Sequence, residues 1–338
     1  MLREVLAQVI QGENLSRETA RQAMDHIMSG QASETQVGAV LTALRMKGVT
    51  AGEIAGFADT MRKNAANIRP KQTDLIDTCG TGGDGKNTFN VSTTVAFVLA
   101  GAGLAVAKHG NRGVSSSCGS ADVLIALGVE VDLQPQAVEQ TINETGIGFL
   151  FAPVFHQAMK YAAKPRKELG FRTVFNLLGP LTNPAQASRQ LLGVYEPELT
   201  AKAAEALVNL GVKRAMVVHS YDGMDEISTA APTHVSEVNG ENIRHYVINP
   251  ADYGFAAPEE NAYRGGQPEQ NAAIVLGVLR GQPGPQRDIV LLNAAAALVV
   301  GDKAADIREG LTLAAASLDS GAALGKLEAL RQFSRRLH

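Results

Sequence analysis

Residues 79–93 read Cys-Gly-Thr-Gly-Gly-Asp-Gly-Lys-Asn-Thr-Phe-Asn-Val-Ser-Thr, and this stretch decides the fold. It follows a short apolar run, residues 75–78, that is typical of a strand. It precedes an apolar segment of small residues, 94–105, that is typical of a buried helix. A glycine-rich turn between strand and helix lets backbone N–H groups converge on an anion, because no side chain blocks the approach. We therefore predict that the chain handles a phosphorylated, metal-bound substrate.

The alternative interpretation of this motif is a purely structural turn, since any tight turn can contain glycines. The context of strand and hydroxyl-bearing helix start favours an anion site instead. The spacing matches neither the Walker pattern nor the Gly-x-Gly-x-x-Gly of dinucleotide folds. The motif therefore predicts a phosphate site outside those two classes.

Beyond residue 74, short β-prone runs alternate with helical stretches, which predicts an α/β domain with a largely parallel sheet. The predicted strands are 75–78, 104–108, 129–133, 147–151, 214–219, 233–238 and 243–247. The last two, separated by Asn239-Gly240, are predicted to form a hairpin. Residues 268–280, 286–300 and 303–337 are predicted to be helical.

The first 66 residues show apolar positions at helical spacing and no strand pattern. Ser16, Ser33 and Thr50 stand at predicted helix starts, and Gln36 completes a capping-box pattern with Ser33. We predict a small all-helical domain over 1–70 and a larger α/β domain over 71–338. A crossover segment near 160–185 is expected to join the two.

Two further motifs follow predicted strand ends, where ligands bind in open α/β sheets. Residues 108–116 read Lys-His-Gly-Asn-Arg-Gly-Val-Ser-Ser, a cluster of phosphate donors; the alternative is a solvated basic loop. Residues 222–226 read Asp-Gly-Met-Asp-Glu. Adjacent carboxylates are common on exposed loops, but beside a phosphate site they suit Mg²⁺.

Arg166 lies in the predicted crossover segment. A guanidinium between two domains can grip a substrate carboxylate through two parallel hydrogen bonds. The alternative is a surface arginine. The following stretch, 175–184, reads as a rigid structural turn.

The composition limits the function classes. The 338 residues carry a net charge of −3, so a nucleic-acid partner is not expected. Neither a signal peptide nor a membrane span is visible. Two cysteines, Cys79 and Cys118, give no disulfide framework. We expect a cytoplasmic protein.

Taken together, the segments 77–93, 108–128, 153–184 and 222–228 resemble the anthranilate phosphoribosyltransferases, in that family's order and over essentially the whole chain. The resemblance implies transfer of the phosphoribosyl group of phosphoribosyl pyrophosphate (PRPP) to the amino nitrogen of anthranilate, in tryptophan biosynthesis. It implies a fold like that of the nucleoside phosphorylases and phosphoribosyltransferases. It also implies two Mg²⁺ ions and a homodimer formed through the helical domain. Any association with anthranilate synthase is expected to involve a separate chain.

The resemblance also implies site residues. The PRPP residues are Gly80, Gly83, Asp84, Thr88, Asn90, Val91, Ser92, Thr93, Lys108, His109, Gly110, Asn111, Arg112, Gly113, Val114, Ser115, Ser116 and Ser120. The anthranilate residues are Gly80, Asn111, His156, Tyr161 and Arg166, and the metal residues are Ser92, Asp225 and Glu226. Gly113 departs from the serine or alanine often found in the family, which we expect to loosen the loop without removing function.

No general base is evident. An arylamine is neutral at pH 7 and can attack without prior deprotonation; His109 is a candidate for assisting later proton loss. A pyrimidine nucleoside phosphorylase is one alternative, but it needs no carboxylate pair for Mg²⁺. A non-enzymatic nucleic-acid-binding relative is another, which would require a broad basic surface.

Overall fold

The computed structural model describes residues 1–113 and 117–337. The chain begins with four helices, α1 (Leu2–Ile10), α2 (Arg17–Met28), α3 (Glu34–Lys47) and α4 (Ala51–Asn64). The starts of α2, α3 and α4 are capped as predicted, because Ser16 accepts from Thr19 N–H and both Ser33 and Thr50 form capping boxes. Caps of this kind satisfy backbone N–H groups that have no partner within the helix.

The remainder forms a seven-stranded sheet in the order β3-β2-β1-β4-β5-β6-β7. Strands β1 to β5 are parallel, and β6 and β7 are antiparallel to their neighbours. The strands are β1 (Leu75–Gly80), β2 (Ala105–Gly110), β3 (Ile147–Phe151), β4 (Arg189–Gly193), β5 (Arg214–Ser220), β6 (Thr233–Asn239) and β7 (Asn242–Ile248). The predicted fold class, a helical domain plus a mostly parallel α/β domain, is confirmed, and so is the hairpin at Asn239-Gly240.

Eleven further helices complete the described ranges of the chain. They are α5 (Val91–Gly101), α6 (Ser120–Ala126), α7 (Pro135–Thr145), α8 (Ala152–Phe155), α9 (Lys160–Leu169), α10 (Val174–Leu178), α11 (Leu199–Asn209), α12 (Pro268–Leu279), α13 (Pro285–Val300), α14 (Ile307–Asp319) and α15 (Ala322–Leu337). The predicted helices at 268–280 and 286–300 are confirmed within a residue or two.

Several predicted elements need correction. Residues 129–133 do not form a strand, and β4 was not predicted. The helix after the glycine-rich motif spans Val91–Gly101, so it begins three residues before the predicted 94. The predicted helix 303–337 is two helices, separated by a break at Ser320-Gly321. The predicted turn at 175–184 contains α10 and a short 3₁₀ turn, Pro180–Thr182.

The helical bundle shares one apolar core with a face of the sheet. A single buried cluster runs from Leu2 and Phe57 through Leu178 to Leu192 of β4 and Val217 of β5. The crossover segment takes part in this core, since α9 contacts α2 and α3. The division at residue 70 stays a prediction. Across the described ranges, every helix is too short or too polar to span a bilayer.

Candidate active site

The predicted site residues gather where the parallel strands end. In a parallel sheet all carboxyl ends lie at one edge, and loops from separate strands meet there. At this edge stand the loop after β1, the loop after β5 and the ends of β2 and β4. We call residues 80–90 the glycine-rich loop and residues 221–228 the acidic loop.

The glycine-rich loop is tied to both neighbours. Thr81 N–H donates to Gly193 O at 2.9 Å, and Tyr195 N–H donates to the Thr81 hydroxyl at 3.1 Å. Gly82 N–H donates to Asp225 Oδ2 at 2.7 Å. Gly82 and Gly83 adopt positive φ angles of +65° and +76°, which turn the backbone toward this edge. Residues with side chains rarely adopt such φ angles. The loop therefore presents bare backbone beside a carboxylate.

Two glycines make room for the acidic loop. A Cβ at Gly80 would lie 2.4 Å from Asp225 Oδ2, and one at Gly193 would lie 1.5 Å from Asp225 O. Real Cβ atoms do not approach so closely, so a side chain at either position would displace Asp225, through its carboxylate at Gly80 and through its backbone at Gly193. Gly80 was predicted from its motif, whereas Gly193 was missed together with β4. The apolar run at 191–194 is the signal that could have found it.

The acidic loop is held from below by a helix. Asn293 of α13 accepts from Ile227 N–H at 2.9 Å and donates to Ile227 O at 2.8 Å. Ser228 Oγ also donates to Asp222 Oδ2 at 2.6 Å. Sequence reasoning missed Asn293, because nothing in its apolar helix signals a contact with a loop 66 residues away.

Asp225 is buried, and the neighbouring Glu226 is partly buried. Burial, with repulsion from Asp84, raises the pKa of Asp225 to about 7. Burial and repulsion from Asp225 raise the pKa of Glu226 well above its usual range, against the attraction of Lys108. Such a pair is destabilised when both groups are ionised, and a bound cation relieves that repulsion.

Lys108 and Ser92 lie beside this pair. The Lys108 ammonium donates to Thr78 O and, at 3.3 Å, to Ser92 Oγ. Burial lowers the pKa of Lys108, and the charges of Asp77, Cys79 and Glu226 raise it. Ser92 stands in the first turn of α5. A cation, a hydroxyl and a helix start thus face the same edge, as an anion site requires.

The loop after β2 folds around Asp122. Asp122 Oδ2 accepts from Gly113 N–H at 2.8 Å and from Gly119 N–H at 2.9 Å, and Arg112 pairs with its other oxygen at 3.3 Å. The Asn111 carbonyl accepts from Ser120 Oγ at 3.2 Å. Three predicted PRPP residues, Val114, Ser115 and Ser116, lie outside the described residues.

The remaining predicted PRPP residues lie between these loops and the core. The Asn90 amide links Cys118 O with Asn271, through contacts of 3.3 and 2.9 Å. Thr88 forms an isolated bridge with Arg264. Val91 and Thr93 are buried, and the Thr93 hydroxyl has no hydrogen-bond partner. Gly110 ends β2, where the Ser120 hydroxyl lies so close that a Cβ would not fit.

Two predicted histidines form a buried pair. The rings of His109 and His156 lie 5.0 Å apart, and the Nε2 of each is buried without a hydrogen-bond partner among the described residues. Burial lowers the pKa of His156 to about 4 and that of His109 well below its usual value. Both rings are therefore neutral at pH 7. A strongly lowered pKa makes His109 a poor proton acceptor, and its assisting role stays a prediction.

Arg166 lies in α9 with its side chain partly buried. Its guanidinium lies over the Phe175 ring at 5.0 Å, and burial lowers its pKa. Across residues 1–113 and 117–337 no hydrogen bond or ion pair engages it. Tyr161 packs over Gly30 of the helical bundle and is 42% exposed, so its contact is with the bundle.

The metal residues fit a magnesium ion that is shared with substrate. No group of three or more His, Cys, Asp or Glu side chains encloses a metal position among the described residues. Mg²⁺ is commonly held by one or two carboxylates with phosphate oxygens and waters. Asp225 and Glu226 supply the carboxylates, and the buried Asp84 Oδ2, which lacks a hydrogen-bond partner, adds negative charge.

Fold and site together define a glycosyltransferase that acts on a phosphorylated substrate. The family model described as "Glycosyl transferase family, a/b domain" matches residues 72–324, and the one described as "Glycosyl transferase family, helical bundle domain" matches residues 3–65. This chain is 55% identical to the anthranilate phosphoribosyltransferase of Methanocorpusculum labreanum, covering 98% of this chain and 97% of that protein. It is 52% identical to that of Pelotomaculum thermopropionicum, covering 100% and 98%.

Comparison with solved structures points to the same family. The anthranilate phosphoribosyltransferase of Thermus thermophilus matches with a TM-score of 0.93 and 44% identity, covering 98% of this chain and 99% of that chain. The Saccharomyces cerevisiae enzyme in complex with PRPP and Mg matches with a TM-score of 0.91 and 30% identity, covering 99% and 98%. The chain belongs to the anthranilate phosphoribosyltransferase family, which confirms the predicted family and enzyme class.

Proposed function

We propose that the chain transfers the phosphoribosyl group of PRPP to the amino nitrogen of anthranilate, releasing pyrophosphate, as a step of tryptophan biosynthesis. One observation carries the proposal. The glycine-rich loop, Lys108 and the buried Asp225–Glu226 pair converge at one edge of the sheet. That combination suits a diphosphate bound with a divalent cation.

The donor is assigned to the loops at this edge. Backbone N–H groups of the glycine-rich loop and the start of α5 face the diphosphate, with Lys108 beside them. The loop after β2 and Ser120 are proposed to hold the other phosphate. Asp225, Glu226 and Ser92 are proposed to hold two Mg²⁺ ions, which when bound neutralise charge on the pyrophosphate.

The acceptor is assigned to Arg166. Its partly buried, unpaired guanidinium is free to form two parallel hydrogen bonds to the anthranilate carboxylate. Gly80, Asn111, His156 and Tyr161 are the other proposed acceptor residues. Because the carboxylate would be fixed by Arg166, the neighbouring amine is oriented, which converts an encounter into a positioned attack.

The reaction forms a bond from the amine nitrogen to C1′ of the ribose and breaks the bond from C1′ to a pyrophosphate oxygen. The sugar is positively charged in the transition state, and the leaving pyrophosphate gathers negative charge. Lys108 and the loop N–H groups stabilise that negative charge. The amine attacks as the neutral base and then loses a proton from its nitrogen.

The oligomeric state, the cellular location and the partners of the chain are also proposed. Met46 and Ile10, 84% and 69% exposed on the helical bundle, support a homodimer through that domain. Neither Cys79 nor Cys118 forms a disulfide, which agrees with a cytoplasmic location. Association with a separate anthranilate synthase is compatible with this assignment, and no nucleic acid or membrane partner is proposed.

The test is to mix the purified protein with PRPP, Mg²⁺ and anthranilate and to follow the loss of anthranilate fluorescence together with pyrophosphate release. Arg166→Ala is expected to raise KM for anthranilate with little effect on KM for PRPP. Lys167→Ala, on the same helix, is the matched control. Release of thymine from thymidine by free phosphate, without transfer to anthranilate, would contradict the proposal.

A further inference from the structure

Arg172 lies against the glycine-rich loop. It stands in the segment 153–184 that carries the family resemblance, but the sequence assigns it no role. Helix α9 ends at Gly170, which adopts φ +66°, and the chain then extends toward the sheet edge. A Cβ added at Gly83 would lie 2.9 Å from Arg172 Nε, 3.4 Å from Cζ and 3.5 Å from Nη2. The guanidinium therefore covers the backbone of the loop at its second positive-φ glycine.

The Arg172 guanidinium is oriented but unpaired. Its Cζ lies 4.4 Å from the centroid of the Tyr195 ring. No hydrogen bond or ion pair satisfies its N–H groups in the part of the chain that the structure describes. Arg287, by contrast, binds Asp319 at 2.7 and 3.0 Å. Stacking fixes the guanidinium plane and leaves its donor edge free, an arrangement that suits an oxyanion.

The support beneath Arg172 belongs to the proposed donor site. Tyr195 N–H donates to the Thr81 hydroxyl at 3.1 Å, so the stacking ring is tied to the same loop. The next loop residue, Gly82, is held by Asp225 at 2.7 Å. Arg172 thus meets the loop at Gly83, one residue from the point where Gly82 contacts Asp225.

We propose that Arg172 is a further substrate-binding residue, whose planar fork contacts the pyrophosphate group of the donor. This assignment rests on the proposed function and refines it. One segment of chain would then serve both substrates, since Arg166 holds the acceptor carboxylate and Arg172 holds the donor. A fork bound to pyrophosphate also stabilises the charge that gathers on the leaving group.

The experiment measures inhibition by inorganic pyrophosphate, competing with PRPP, in the native protein and in Arg172→Gln, with Mg²⁺ held constant. Charge-assisted hydrogen bonds of this kind contribute enough that we expect the inhibition constant to rise by roughly 10- to 100-fold. KM for PRPP should rise in parallel, and KM for anthranilate should stay within about twofold, since only the donor loses a contact. Lys167→Gln, on the exposed end of α9, is the control and should match the native protein.

An unchanged pyrophosphate inhibition constant in Arg172→Gln would overturn the assignment. So would an equal rise in KM for anthranilate, because that would mark a structural role. If circular dichroism shows that Arg172→Gln does not fold, the same measurement is made on Arg172→Lys, which keeps the charge but loses the planar fork. An unchanged pyrophosphate inhibition constant in Arg172→Lys would then overturn the proposal. Absence of any transfer by the native protein would instead overturn the proposed function itself.

Discussion

At the residue scale, the site depends on the absence of two side chains. Gly80 and Gly193 end neighbouring strands, and the Asp225 main chain and carboxylate occupy the space a Cβ would take at either position. The acidic pair can therefore be buried close to the glycine-rich loop. At Gly193 a larger residue would displace the Asp225 backbone, so a change of rotamer gives no relief, whereas at Gly80 it would displace the Asp225 carboxylate.

Gly193→Ala tests this fit. The added methyl would lie 1.5 Å from Asp225 O, and we expect the free energy of unfolding to fall by about 2 kcal/mol or more. Turnover should fall as well, because Asp225 must move. The control is Gly325→Ala in the exposed part of α15, where no atom lies within 4 Å and about 0.5–1 kcal/mol of stabilisation is expected. Urea titrations of both variants would show the difference, and equal effects would contradict the argument.

Glu226 is expected to lower the stability of the metal-free folded protein while it contributes to catalysis. Its pKa is raised by burial and by Asp225, so without metal the ionised form is disfavoured in the folded protein. Glu226→Gln is expected to raise Tm in the absence of Mg²⁺ and to lower kcat by about 100-fold or more, since charge stabilisation at the leaving group is lost. Exposed Glu241→Gln, in the hairpin, should change neither quantity. A variant with lower Tm and native kcat would contradict this.

The histidine pair predicts an acid-sensitive fold. His156 has a folded pKa of about 4, below its unfolded value of about 6.5, so only the unfolded chain binds a proton between these values. Stability is therefore retained above pH 6.5 and lost as the pH falls toward 4. His156 alone should account for about 2 kcal/mol of loss between pH 7 and pH 5, and His109 acts in the same direction.

Urea titrations at pH 7 and pH 5 would measure that loss. In His156→Gln the difference between the two pH values should shrink by about 2 kcal/mol, because the group that titrates is removed. His245→Gln, at an exposed position on β7, is the matched control and should retain the native difference. A His156→Gln variant with the full native pH dependence would refute the assignment.

At the scale of elements, the sequence predicts those structures that are determined locally. The strand-turn-helix around residues 80–93 was predicted because its glycines and flanking apolar runs carry the signal themselves. Residues 129–133 do alternate, with Val129, Val131 and Leu133 buried, but they pack as an extended segment beside α15, where Ser334 accepts from Glu130 N–H. Alternation reports burial on one side, which does not require a neighbouring strand.

Strand β4 is a strand that the sequence analysis missed, the opposite of the error at residues 129–133. It lies at the centre of the sheet, yet it begins with Arg189 and Gln190, whose polar side chains conceal a buried strand. Gln190 is buried because its amide donates to Pro180 O at 2.7 Å, a partner supplied by the crossover segment. Likewise Gly193, Asn293 and Arg172 acquire their roles only through distant contacts. Residues with motif signals were therefore predictable, and residues placed by tertiary packing were not.

Glu53, in the first turn of α4, provides a prediction at the scale of elements. The buried Glu53 carboxylate accepts from Leu15 N–H and Thr50 N–H, each at 2.8 Å, and pairs with Lys47 at 3.0 Å. Glu53→Ala would leave two N–H groups unpaired and the Lys47 ammonium with Asn14 Oδ1 as its remaining partner, so the free energy of unfolding should fall by about 3–5 kcal/mol. Ser33→Ala, which removes an exposed cap, should cost only about 1 kcal/mol. Chemical denaturation would rank the two, and similar losses would contradict the special role of Glu53.

At the scale of the whole molecule, the helical bundle is not an independent unit. Ile54 and Phe57 of α4 belong to the same buried cluster as Leu207 of α11 and Val217 of β5. Arg62 reinforces the junction, since its guanidinium donates to Leu181 O at 2.8 Å and to Leu210 O at 3.2 Å. Burial of that guanidinium lowers its pKa to about 10, although Asp59 opposes the shift.

This shared core predicts that the bundle and the sheet unfold together. Calorimetry of the full chain should show one transition, and a fragment of residues 1–70 should show none, because its apolar face would be left in water. Arg62→Ala should lower the transition temperature and bring out a second transition, since the buried carbonyls of Leu181 and Leu210 would lose their donor. Arg3→Ala, on the exposed face of α1, is the control. A cooperative transition in the isolated fragment would show that residue 70 is a true folding boundary.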